Sequence, residues 1–229
     1  MKLDHLIQAI AGLAYRVVED QEEIATLALV DSIDEHSLLE SILEDSKPSS
    51  SIHHKDYLIN TPFRYAPLNY GSRFGSRFEN SLFYGSLSQQ TVLAEVAYYR
   101  SLFWSHISKP PTEAIKTSHT LFNVNYSIEQ GVKLQSCTQW QKKLTHPNDY
   151  NFTQNVGSSM REIGVEGFEF VSARDKQKGV NVAFFNPNPI RSKRALNKET
   201  LQCITNSTRV SFKQKGTFKT WSYISIEVA

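Results

Sequence analysis

Residues 81–99 read SLFYGSLSQQTVLAEVAYY, and this stretch decides the fold. Ser81–Leu87 has the aromatic and aliphatic content of a short strand, and Ser88 is an N-cap residue for a helix over residues 89–103. Val92, Val96, Tyr99 and Phe103 fall on its apolar stripe. Glu95 then shares a face with Ser88, Thr91, Val92 and Tyr99, which sets a carboxylate among apolar neighbours. Such a carboxylate has either a buried partner or a chemical task, or it lies exposed at the edge of the stripe.

Downstream, Lys116–Ile128 alternates as a strand, and residues 148–164 carry Phe152, Val156, Met160 and Ile163 at helical spacing, with Gly164 to end the helix. Phe168–Ala173 and Asn181–Phe185 read as strands joined by a turn over Asp175–Gly179, and Ser211–Val228 holds two β-rich runs around Lys215-Gly216. Upstream, Phe63–Tyr84 is rich in aromatics, arginine and glycine, which disfavours helix. Leu3, Leu6, Ile7, Ile10, Leu13 and Ala14 share a helical face, and Ser32-Ile33-Asp34-Glu35 has capping-box form. Residues 1–46 therefore read as a helical N-terminal arm and 47–57 as a loop, packed as one unit with a domain over 58–229. Interleaving without regular βαβ alternation predicts an α+β fold.

The chain has 229 residues, 40% apolar and 21% charged, which excludes disorder as its general condition. A formal charge of +2 is too balanced for a nucleic-acid coat or a membrane-surface protein. No apolar run approaches the ~20 residues that span a bilayer. Asp4, His5 and Gln8 interrupt any signal-peptide core, and Cys137 and Cys203 stand outside metal or disulfide spacings, so a cytoplasmic location is expected. The seven histidines show no ligand spacing, so no metal is expected. His53 and His54 read as solvated loop residues.

Three weak signals point to chemistry. Gly71, Arg73, Gly75 and Arg77 lie in a tandem Gly-Ser-Arg-Phe repeat whose backbone could approach an anion that guanidinium groups grip. From spacing alone a glycine-rich turn with solvated arginines fits better. Glu95 is the second signal. Ser172, ending FEFVSARD, is the third, and by itself reads as a turn or capping residue.

In their order these pieces resemble the RES-domain family of bacterial toxins. The resemblance rests on Phe63-Arg64-Tyr65, GSRFGSRF at 71–78, LFYGSLSQQTVLAEV at 82–96 and FEFVSARDKQKGVNVAFFNP at 168–187. Carried over, Arg64 is the early arginine, Arg77 the second, Tyr84 the strand tyrosine, Glu95 the helix glutamate and Ser172 the late serine. Tyr15-Arg16-Val17 is a second stretch with the early arginine's form, and Arg64 is preferred for its nearness to Arg77. The family's G-G-R-W-N is here Gly75-Ser76-Arg77-Phe78-Glu79.

The resemblance implies an ADP-ribosyltransferase-like split mixed β-sheet with flanking helices. It implies a toxin that depletes NAD by cleaving the nicotinamide–ribose bond, through phosphorolysis or hydrolysis, and that an Xre-type helix-turn-helix antitoxin neutralises. Transfer of ADP-ribose to a protein, or a non-catalytic NAD-binding module, are the alternatives. Glu95, Arg64 and Ser172 would be catalytic, and Arg77, Tyr84, Arg73, Gly75 and Ser88 would bind substrate. NAD would be substrate rather than resident cofactor, with inorganic phosphate as co-substrate.

Overall fold

The computed structural model describes residues 3–20, 32–46, 55–65 and 67–222. Eight strands form one mixed sheet: β1 (Ile7–Glu19), β2 (Phe83–Ser86), β3 (Ile115–Lys133), β4 (Gly167–Val171), β5 (Val180–Phe184), β6 (Leu196–Thr205), β7 (Arg209–Gln214) and β8 (Thr217–Ser222). Five α-helices accompany them: α1 (Ile33–Ser46), α2 (Tyr57–Arg64), α3 (Gln89–Ser105), α4 (Gln141–Leu144) and α5 (Asn151–Glu162). The order is β1-β2-β5-β4-β3-β6-β7-β8, and β1 also pairs with β3. The first five strands therefore close on themselves, while β6–β8 continue from β3 as an open wing. Only β3 and β4 run parallel among the described strands, over Gly131–Lys133 and Gly167–Glu169.

The helical arm expected over residues 1–46 is half correct. Glu35 N–H donates to Ser32 Oγ at 3.2 Å, so the cap before α1 forms. Residues 7–19, however, are a strand inside the sheet, antiparallel to β3 from Ile7↔Val132 to Glu19↔His119, with Tyr15 also opposite Ser86 of β2. An irregularity between Gln8 and Ile10 breaks the two-residue alternation. Buried Ile10 and Ala14 stand four apart, a spacing that suits strand and helix alike. The apolar run at Ile24, Leu27 and Ala28, the loop over 47–54 with His53 and His54, and the end of the last β-rich run lie outside the described residues.

Three apolar clusters hold the sheet to its helices. Val92, Leu93 and Ala97 of α3 pack on Leu121, Leu201 and Phe212. Val156 and Met160 of α5 pack on Phe74, Phe168 and Phe170. Ile59 of α2 packs on Phe83, Val182 and Phe184. Helices α3 and α5 thereby flank the ends of β2, β4 and β5, where the chemistry-bearing residues converge.

Candidate active site

Ser88 caps α3 by accepting from Thr91 N–H at 3.1 Å, so the helix starts directly after β2 and carries Glu95 one turn beyond Thr91. Strand β4 ends at Val171, and Ser172 turns the chain: its Oγ accepts from the backbone N–H of Arg174 (3.1 Å) and of Asp175 (3.0 Å). That leaves the hydroxyl proton for another acceptor. Ser172 Oγ donates it to Glu95 Oε1 at 2.6 Å. Asn181, on β5, donates from Nδ2 to the same oxygen at 2.7 Å. Ser86 Oγ donates to Asn181 Oδ1 at 2.6 Å, closing a chain from β2 through β5 to α3. Among the described residues Glu95 Oε2 accepts no hydrogen bond.

A second clamp fixes the serine turn to the helix. Asp175 Oδ2 accepts from Thr91 Oγ1 at 2.9 Å, and Oδ1 accepts from Gln177 N–H at 3.0 Å. The chain passes so close here that a Cβ on Gly179 would meet Thr91 Oγ1 at 2.0 Å and Asp175 Oδ2 at 2.6 Å.

Two arginines near Glu95 have no acidic partner among the described residues. Arg174 donates from Nη2 to the carbonyl of Pro147 (2.5 Å) and to the Tyr150 hydroxyl (3.2 Å), and its guanidinium lies 3.5 Å from the centre of the Tyr98 ring. Arg73 donates to the carbonyls of Leu144 (3.2 Å) and His146 (2.8 Å) and lies 4.5 Å from the Tyr150 ring centre. Carbonyl oxygens and ring faces hold both groups in place without neutralising them. Half of Tyr99 is exposed, yet its hydroxyl end is surrounded by protein. Burial raises that phenol, Tyr150 and Glu95 push the same way, and Arg174 and Arg73 oppose them. The four groups are thus electrostatically one neighbourhood. The backbone of α5 seats the Arg73 loop directly, since a Cβ on Gly157 would overlap the Phe74 carbonyl oxygen at 1.9 Å.

Of the residues expected from the sequence, Glu95 and Ser172 meet directly and Arg73 stands near them. Tyr84 lies on β2 two residues before Ser86, on the same sheet face, with its ring edge-on to Phe170. Its hydroxyl is held by Ser72 Oγ (2.9 Å) and by Phe74 N–H (3.1 Å), and burial raises its pKa, so it stays a neutral phenol. Ser88 spends its hydroxyl on the helix cap and on Thr91 Oγ1 (2.7 Å). Gly75 is buried in the loop, its carbonyl accepting from Ser72 N–H at 2.7 Å.

Arg77 stands apart from this group. Arg77 is exposed on a turn that Glu79 fastens to Ser76 N–H and Ser158, and its guanidinium lies 4.5 Å from the ring centre of exposed Phe78. Arg64 ends α2. The arginine that reaches β2 is Arg16, the second candidate for the early position: Nη1 donates to the Tyr84 carbonyl at 2.6 Å. Burial lowers its pKa to about 10, so it remains charged at neutral pH. It helps line a cavity of about 310 Å3 with Tyr84, Gly71, Ser72 and Gly75, against Pro62 and Tyr65. Sequence reading missed Asn181, Arg174, Tyr150 and the Thr91–Asp175 pair. For the first two a signal existed in Gly179-Val180-Asn181 and in the arginine two residues after Ser172.

No group of histidine, cysteine or carboxylate side chains able to hold a metal occurs among the described residues. No described helix is long and apolar enough to cross a membrane. The model of the RES domain matches residues 50–204, about two thirds of the chain. No curated protein matches the sequence. Among solved structures, the crystal structure of the M. tuberculosis MbcT–MbcA toxin–antitoxin complex contains a chain of similar fold. The TM-score is 0.51 at 11% identity, covering 86% of both chains.

Proposed function

The chain belongs to the RES domain family, and from this premise we propose that it is an enzyme that cleaves the nicotinamide–ribose bond of NAD on an ADP-ribosyltransferase-like sheet. The observation that carries this reading is the doubly hydrogen-bonded Oε1 of Glu95, which fixes a carboxylate whose second oxygen accepts no hydrogen bond among the described residues. Breaking the glycosidic bond leaves positive charge on the ribose C1′ and O4′. The bonding pair leaves with nicotinamide, which is cationic in NAD and departs neutral, so no strong general acid is needed. A fixed carboxylate beside that carbon stabilises the charge by about 3–4 kcal/mol, a common worth for one preorganised group. Oε2 is the oxygen placed to take a ribose hydroxyl or face C1′.

Arg73 and Arg174, fixed yet not neutralised, grip the diphosphate of NAD, and Tyr150 spaces them. Tyr84 presents an aromatic face to the nicotinamide end, and Arg16 supports it through its carbonyl. Phosphate, or water with loss of its proton to solvent, then forms the new bond to C1′. The family and the fold shared with a chain of a toxin–antitoxin complex support the further reading that this is a toxin restrained by an antitoxin protein.

The test is to incubate the purified chain with NAD, with and without inorganic phosphate, and identify the products by mass. Free nicotinamide with ADP-ribose or its 1-phosphate supports the reading. Intact NAD, or ADP-ribose attached to protein, counts against it.

A further inference from the structure

We infer that Asn181, oriented by Ser86, is a positioning residue that decides which oxygen of Glu95 is offered to the substrate; this rests on the reading of Glu95 given above. Ser86 and Asn181 are directly opposed in the antiparallel β2–β5 pair, and both are buried, at 1% and 5% exposure. Around them the sheet face is apolar, with Ala183 opposite Tyr84 and Phe170 opposite Asn181. An apolar pair of similar shape would pack here at no loss, whereas a buried amide without partners is costly. Both ends of this amide are satisfied, and in one direction only. Ser86 Oγ donates to Oδ1, which forces Nδ2 toward α3, where it meets Glu95 Oε1. A turned amide would set Oδ1 against the carboxylate. With Ser172 Oγ on the same oxygen, Oε1 carries two donors and, among the described residues, Oε2 none. The carboxylate is therefore fixed in rotation as well as in place, by elements 77 and 86 residues away in sequence.

Two readouts separate this role from a merely structural one. In 15N-labelled protein without substrate, the Asn181 side-chain amide should give resolved, slowly exchanging proton signals that move on Glu95→Gln. Signals unaffected by that change overturn the relay. In the nicotinamide-release assay Asn181→Leu should lower kcat by about 10²-fold, the scale of a misplaced catalytic group, with KM within about threefold. In the Glu95→Gln background the same change should cost nothing further, because its effect passes through Glu95. Additive losses, or a loss confined to KM, contradict the inference. Should Asn181→Leu fail to fold, Ser86→Ala keeps the asparagine and frees its amide to turn. A kcat reduced several-fold supports the relay and an unchanged kcat overturns it. If the wild-type chain releases no nicotinamide, the proposed reaction fails, and the amide signals alone decide the relay.

Discussion

Ser172 and Glu95, 77 residues apart, are joined by a 2.6 Å hydrogen bond from serine Oγ to carboxylate Oε1. Two backbone N–H groups already point at that Oγ, so its proton has one direction left to go. The serine is thus less a nucleophile than a fixed donor. Its lone pairs face N–H groups and its proton points at Glu95 Oε1, the arrangement that the proposed stabilisation of a cationic sugar requires. The position one turn before Glu95 is secured as well, through Thr91 and Asp175.

Arg174 and Arg73, which have no acidic partner among the described residues, give the first prediction. Arg174→Gln and Arg73→Gln should each raise KM for NAD roughly 10- to 100-fold, the range for losing a charge-assisted hydrogen bond, with the fold intact by circular dichroism. Arg77→Ala should leave KM within about twofold, because that guanidinium is exposed on its own turn. A reversed ranking in steady-state kinetics would exchange the roles.

Gly179→Ala should destabilise the chain. The added methyl would overlap Thr91 Oγ1 and crowd Asp175 Oδ2, so the serine turn must shift away from α3. Overpacking of this kind costs about 1–3 kcal/mol, or roughly 3–10 °C in Tm for a chain of this size. Activity should fall with it, since the same shift lengthens the Ser172–Glu95 bond. Differential scanning calorimetry with the nicotinamide assay reads both.

His119 sets an acid limit on stability. It is 2% exposed, and burial holds its pKa below the usual 6.5; Arg100 acts in the same direction, while Glu19 and Asp20 oppose. With the folded value depressed, the unfolded chain takes up a proton first as pH drops below about 6.5. Stability is then lost until the folded value is passed, at about 1.4 kcal/mol per unit of difference. Above that window the histidine contributes no pH dependence. Urea titrations at pH 7.5 and 5.5 should show a loss that His119→Phe reduces, and an equal loss in the variant would assign it elsewhere.

The parts legible in the sequence were those with local signals. Ser88 caps where a serine before a helical stripe should, and Gly164 ends α5 with a φ of 76°. Lys215 and Gly216 take the positive φ values of a tight hairpin between β7 and β8. Strand β1 was not legible. Its burial comes from two flanking strands remote in sequence, and an irregularity after Gln8 hides the alternation that would mark it. Strand β6 and helix α2 went unread for a similar reason. β6 alternates weakly, and α2 is eight residues long with Pro62 inside it, too short for periodicity to show. In the site, Glu95 and Ser172 could be paired only through resemblance, since no spacing rule joins a helix to a distant turn. Arg73 and Arg77 occupy equivalent places in a tandem repeat, so sequence could not rank them. The packing of Gly157 on Phe74 and of Tyr150 on Arg73 does.

The most direct measurement is the rate of nicotinamide release from NAD by the wild-type chain and by Glu95→Gln, followed chromatographically at saturating NAD. Glutamine keeps the shape of the side chain and removes its charge. The variant should fold and still bind NAD, with kcat lowered by about 10²- to 10³-fold, the cost of losing one preorganised group. Turnover near that of the wild type would contradict it and remove Glu95 from the reaction.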